Sequence, residues 1–151
     1  MTTPQPNRWR SGSVALEFAV LVLPFVAMVF GLIEYARLQW TRGALQEVAI
    51  ASARCAGLQA ASCTAAAGSG GGGRSYSDTQ TRAFITAQAA GWYIGLTDAN
   101  IALTNSAATT CEGAANFVKV SLTYNFSSAF LATIGSATYP ITAAACFPNQ
   151  S

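Results

Sequence analysis

Two sets of residues in this chain can do chemistry: a lone carboxylate set in an apolar run, and four thiols that follow it. Glu17 is the only charged residue between Ser13 and Ile33. A carboxylate near hydrocarbon is expensive and needs a partner within reach, a cation or water. Cys55, Cys63, Cys111 and Cys146 all lie after the run, as expected if that side of the chain faces an oxidising compartment where disulfides persist. Their spacings are long and include no close pair, which argues against a zinc site. Histidine is absent, and with it the commonest general base and the commonest transition-metal ligand. The six acids, Glu17, Glu34, Glu47, Asp78, Asp98 and Glu112, are scattered, and no nucleophile stands beside an evident base. These residues point away from an enzyme and imply no metal, no cofactor and no small-molecule substrate.

The element that must hold Glu17 is a helix. An apolar helix over residues 13–33 spans roughly 30 Å, the thickness of bilayer hydrocarbon, so the run reads as a transmembrane span. A cleaved secretory signal fits less well, because its apolar core is shorter and ends at a small-residue cleavage site. Residues 1–12 carry Pro4, Pro6, Arg8 and Arg10 and read as a short disordered cytoplasmic leader, with Trp9 at headgroup level. Arg37 and Arg42 beyond the run make the positive-inside bias slight, so the cysteines carry the orientation. Pro24 cannot donate to the carbonyl of Val20, which predicts a mild kink, and Gly31 adds a second soft point. Past the span the helix turns amphipathic: Tyr35, Leu38, Leu45, Val48 and Ser52 fall near one face, and Arg37, Gln39, Gln46 and Arg54 elsewhere. Gly57 is its expected stop.

The rest of the chain reads as one small exported α+β head. Residues 58–77 run from Ala, Ser and Thr into Gly-Ser-Gly-Gly-Gly-Gly and predict a flexible loop, with no Lys-Ser/Thr to make it a phosphate cradle. Ser77 and Gln80 form a capping box, and Ile85, Ala89, Trp92 and Leu96 continue at one-face helical spacing, so a second helix is expected from Asp78 to about Ile94. Trp92 and Tyr93 lie at or beside that stripe and are expected in the core. The period then changes: Val118, Val120, Leu122, Tyr124 and Phe126 alternate with polar residues, Tyr139 to Phe147 repeat the pattern, and Asn100 to Thr104 supply a shorter strand. An antiparallel sheet of about three strands, backed by helices, follows. If the last two strands are neighbours, Cys111 and Cys146 lie at the same end of the sheet, and Cys55 and Cys63 close the turn after the long helix. Four cysteines allow three connectivities, and free buried thiols are a further alternative. A net charge of +2 gives no reason to expect a nucleic-acid partner.

Gly12, Ser13, Glu17 and Phe18, followed by the long apolar helix and then by Glu34, Tyr35 and Arg37, resemble a TadE-like protein, a pseudopilin or minor pilin of tight-adherence (Flp, type IVc) pilus systems. That family carries a glycine, four residues, then Glu followed by Phe or Tyr, and an Glu-Tyr/Phe-x-Arg element after the span. The resemblance covers about Arg10 to Arg54 and leaves the head unconstrained. It implies cutting after Gly12 by a prepilin peptidase, and assembly partners among other pilins, pseudopilins and Tad assembly proteins. It places the chain in the bacterial inner membrane as a single-pass protein, with the C-terminal head periplasmic or extracellular or incorporated in a pilus.

The chemistry of such a cut is coherent. It frees a protonated α-amine on Ser13 about one helical turn from Glu17, so the acid gains a cation from its own N-terminus or from that of an adjacent subunit. Ser13, Ala15, Ala19 and Ala27 are small enough for close helix approach. The alternative for Glu17 is a place near the cytoplasmic headgroups, from which it reaches water. At the level of function, the reading is assembly of a pilus by helix packing, with Glu17, Pro24, Glu34, Tyr35 and Arg37 as packing residues. The competing reading is an uncut single-span envelope protein that serves a secretion machine as scaffold or partner-binding module.

Overall fold

The computed structural model of the chain describes residues 9–65, 75–128, 132, 135 and 138–150, with side chains from Val14 onward. Residues 1–8 of the expected leader and the glycine run of the expected loop lie outside the described residues. The chain divides into two compact units, 1–37 and 38–151. Helix α1 runs Trp9–Gly57. It therefore begins ahead of Ser13, and Trp9 to Gly12, expected to be disordered, are helical. One glycine in a helix costs about 1 kcal/mol relative to alanine, too little to stop the flanking residues from extending the ladder. In the first unit the apolar residues from Val14 to Ile33, Val22 apart, are exposed on every side of α1, the distribution of a helix that meets an apolar surround beyond its own chain.

The second unit is α+β. After α1 come β1 (Thr64–Ala65), β2 (Ser75–Tyr76), α2 (Asp78–Gly91), a 3-10 turn at Asp98–Asn100, β3 (Ile101–Ser106), β4 (Phe117–Ser127) and β5 (Thr138–Pro148). β3, β4 and β5 form an antiparallel sheet in that order, and β1 pairs with β2. The register sets Leu122 opposite Ile101 and Ala143, and Val118 opposite Phe147, so the apolar positions of all three strands share one face. Val118, Val120, Leu122, Phe126, Ile141 and Ala143 on that face are buried with Leu45, Val48, Ala49 and Ala53 of α1 and with Ile85 and Ala89 of α2. The opposite face carries Lys119, Thr123 and Asn125, exposed, as a one-sided antiparallel sheet allows.

At the free edge of β5, the Gln46 amide Nε2 donates to the Ala144 carbonyl at 3.2 Å. Even-numbered residues of β5 thus turn their backbone groups away from β4. Pro140 and Pro148 share that parity, so neither removes a ladder bond.

Several local expectations are corrected. α1 does end at Gly57, but the residue in the left-handed region is Gln59, at φ 50°. Glycine is needed at 57 for space: a Cβ there would lie 2.5 Å from Phe147 Cδ1 and 2.8 Å from the Pro148 carbonyl oxygen. Ser77 caps α2 by accepting from the Gln80 N–H at 3.4 Å, while its own N–H goes to the Cys63 carbonyl at 3.1 Å. Only half of the capping box is made, because a tertiary bond takes the other donor. The predicted loop 58–77 is structured at both margins, where Thr64 faces Tyr76 and Ala65 faces Ser75.

α2 stops at Gly91 rather than near Ile94. The N–H of Tyr93 bonds the Ala90 carbonyl and that of Ile94 the Ala89 carbonyl, both at 3.0 Å, with Tyr93 at φ 59°. This is the Schellman ending, and its left-handed position usually holds glycine. Trp92 and Tyr93 consequently leave the stripe and are exposed, while Ile94 turns inward and is buried. Tyr35 is likewise exposed, whereas Leu45, Val48 and Ser52 are buried as expected.

Two outcomes follow for the head. Gly57→Ala is expected to destabilise it by about 1–3 kcal/mol, seen as a lower denaturation midpoint with the disulfides intact. Burial, followed by the Asp78 carboxylate that accepts from its hydroxyl at 3.2 Å, pushes the Tyr76 phenol from 10.0 up to about 12. Because the folded value lies above the unfolded one, the associated stability is complete below pH 10.0 and is lost as pH rises through about 12. An alkaline denaturation series should show that loss in the native chain and a smaller one in Tyr76→Phe.

Candidate functional site

α1 positions every residue that the sequence singled out around the apolar run. Gly12 and Ser13 lie in its first turns, and their side chains fall outside the described residues. Glu17 is exposed on the helix, with Phe18 beside it, also exposed. Among the described residues no hydrogen bond or ion pair to Glu17 is formed within the chain, so the acid stays available to a cation from outside the helix wall. One turn separates it from the backbone of Ser13. Pro24 lies inside α1, which continues past it.

At the far end of the run, Arg37 Nη1 meets Glu34 Oε1 at 3.3 Å, one turn apart on the helix. The pair closes the apolar stretch with opposite charges that satisfy each other, as charge beside hydrocarbon requires. The structure thus brings Glu34 and Arg37 together, and leaves Tyr35 and Glu17 facing outward. Among the described residues α1 is the one helix long and apolar enough to cross a membrane, and none of its most apolar window is buried within the chain.

A family model described as TadE-like protein matches residues 12–54. The α1 segment is TadE-like. The match opens at Gly12, takes in Glu17 and the Glu34–Arg37 pair, and stops one residue short of Cys55. No curated protein and no solved structure gives a significant match to the chain. The TadE-like segment therefore comprises the apolar run and the Leu45–Val48–Ser52 stripe on which the head's core is built, while the sheet lies beyond it.

Immediately after the TadE-like segment, Cys55 pairs with Cys63 across a Cα–Cα distance of 5.9 Å. Cys111 pairs with Cys146 across 6.4 Å, tying the loop between β3 and β4 to the last strand. Among the described residues no cysteine is free. The connectivity is the one that neighbouring terminal strands predict.

Sequence reading missed the residues that lock the first bridge in place. The buried Thr81 hydroxyl lies 2.8 Å from the Ser77 carbonyl and 3.3 Å from the Cys63 carbonyl, joining α2 to the turn that holds the disulfide. Its only sequence signal was its place one turn before Ile85 on the buried stripe. Arg82 was missed as well: its Nε meets Asp78 at 2.6 Å, and its Nη1 donates to the Asp98 and Ile101 carbonyls at 3.1 and 3.0 Å, which holds the entry to β3.

Non-reducing mass analysis should find the protein lighter by two hydrogens per bridge, with peptides linked 55 to 63 and 111 to 146. Closure entropy over separations of 35 and 8 residues is about 4 and about 2.5 kcal/mol, so the Cys111→Ser/Cys146→Ser pair should lower head stability more than Cys55→Ser/Cys63→Ser.

Proposed function

We propose that the protein is a minor pilin or pseudopilin of a Tad/Flp-type pilus, anchored by α1 and acting in assembly by helix packing rather than by catalysis. The observation that carries this reading is a coincidence of position. The TadE-like match over 12–54 encloses an apolar helix wall that, among the described residues, nothing covers. A wall of this kind is stable in lipid, and it is stable against other apolar helices once lipid is withdrawn. The two environments are those an assembly component passes between.

In this reading Gly12 marks the processing site, read by a prepilin peptidase together with Ser13, Glu17 and Phe18. The new α-amine on Ser13 and the Glu17 carboxylate then form a charge pair, within one chain or between neighbours. An inter-chain pair gives register to a contact whose apolar surfaces alone would slide. The leader lies in the cytoplasm of a bacterial cell, the span in the inner membrane, and the disulfide-closed head outside it. The oxidised cysteines support that orientation.

N-terminal sequencing of the membrane-extracted protein is expected to begin at Ser13, whereas a product beginning at Met1 or Thr2 favours the uncut scaffold. Glu17→Ala is expected to leave the protein in the membrane fraction and to abolish surface piliation. Full piliation by that variant rules out Glu17 as the assembly contact.

A further inference from the structure

Four aromatic side chains of the second unit are left open to solvent: Trp40 at 67% exposed, Trp92 at 40%, Tyr93 at 98% and Tyr139 at 45%. They are linked. Trp40 and Trp92 meet edge to face at 6.0 Å, joining α1 to the C-terminal end of α2. Tyr93 follows Trp92 directly. Two residues along α1 from Trp40, the Arg42 guanidinium carbon lies 5.8 Å from the centroid of the Tyr139 ring at the start of β5.

Tyr93 is the most exposed of the four. Its φ of 59° is one that glycine adopts freely and tyrosine does not. Glycines stand at 91 and 95, yet the position where the backbone demands one carries a large ring that the fold does not bury.

The position of the cluster says what the rings meet. Trp40 follows the Glu34–Arg37 pair that ends the apolar run, and it lies seven residues after Ile33. Along α1 that is about 10 Å of rise, and the backward tilt of helical side chains returns the indole by roughly one turn. Trp40 thus follows the end of the run by about two helical turns, and a headgroup layer is about 5–8 Å thick. Trp and Tyr, with an apolar body and a polar tip, favour that layer, and a guanidinium there meets lipid phosphate.

We propose that Trp40, Trp92, Tyr93 and Tyr139, with Arg42, form a collar that seats the head on the lipid headgroups. The collar rests on the reading of α1 as a membrane span. It holds α2 and the start of β5 at the surface, so the head is docked on the bilayer before any partner binds.

The test uses the full-length chain in phosphatidylcholine vesicles carrying spin-labelled lipids, with Trp9→Phe/Trp40→Phe leaving Trp92 as the only tryptophan. Trp92 emission is expected to be blue-shifted and to lose more intensity to a label at the headgroup end of the acyl chain than to one near its tip. Adding Tyr93→Gly, which suits the left-handed backbone, is expected to keep the fold and reduce that loss. Should Trp40→Phe disturb the fold, Trp9→Phe alone keeps the tryptophan pair and gives the same order of quenching. Water-like, iodide-accessible Trp92 emission from a chain that stays with the vesicles overturns the collar and leaves the span reading intact. A blue shift insensitive to both labels assigns the patch to a protein contact and equally overturns the collar. A chain that does not associate with the vesicles overturns both readings.

Discussion

The packing of a small-residue helix face against the inner face of the sheet is the constraint on which the head depends. Ala44, Ala49, Ala53, Ala56 and Gly57 of α1 are all buried, and Leu45 and Val48 fill the space among them. Full burial of a leucine or valine side chain is worth about 1.5–3 kcal/mol, and here it is obtained only because the alanines let the helix come close. Gly57 is the limiting case, in contact with Phe147 and Pro148 of β5. A bulkier residue on this face would lift α1 from the sheet, and the turn closed by Cys55 and Cys63 would move with it.

The two parts of α1 obey different rules because they meet different surroundings. From Val14 to Ile33 the residues, Glu17 apart, are apolar all round and the helix has no preferred face. From Leu38 onward buried positions alternate with exposed ones such as Gln46, Glu47 and Ile50. The Glu34–Arg37 pair falls where the first pattern gives way to the second. The TadE-like match crosses that change and ends where the cysteines begin.

Much of this architecture was legible because it follows from periodicity. The two-residue alternation of β4 and β5 gave strand, face and neighbour together, and the disulfide pairing came with them. β3 was placed with its boundaries shifted to Ile101–Ser106, since Asp98–Asn100 form a 3-10 turn instead. Legibility failed where one backbone group decided the outcome. The helical stripe ran through Trp92, but the Schellman ending at Tyr93 rotated the following residues and sent Ile94 inward in its place. At Gly57 the stop was read from conformational freedom, while the actual requirement was space against a strand distant in sequence. Thr81 escaped notice because its partners are carbonyls, which sequence does not mark, and so did the carbonyl contacts of Arg82, although its pair with Asp78 four residues earlier was a readable signal. Around Glu17 the legible part was the cost of the acid, since among the described residues no group of the chain pairs with it.

The proline parity of β5 governs how copies of the head can meet. An exposed strand edge is a template on which another chain can grow as an extra strand, and from which aggregates start. Here Pro140 and Pro148 withhold two outward donors, and Gln46 occupies the Ala144 carbonyl between them. At the opposite margin β3 is only six residues long, and Arg82 takes the Ile101 carbonyl. With both margins of the sheet blunted, a head brought against a second one offers it no open edge on which to add a strand.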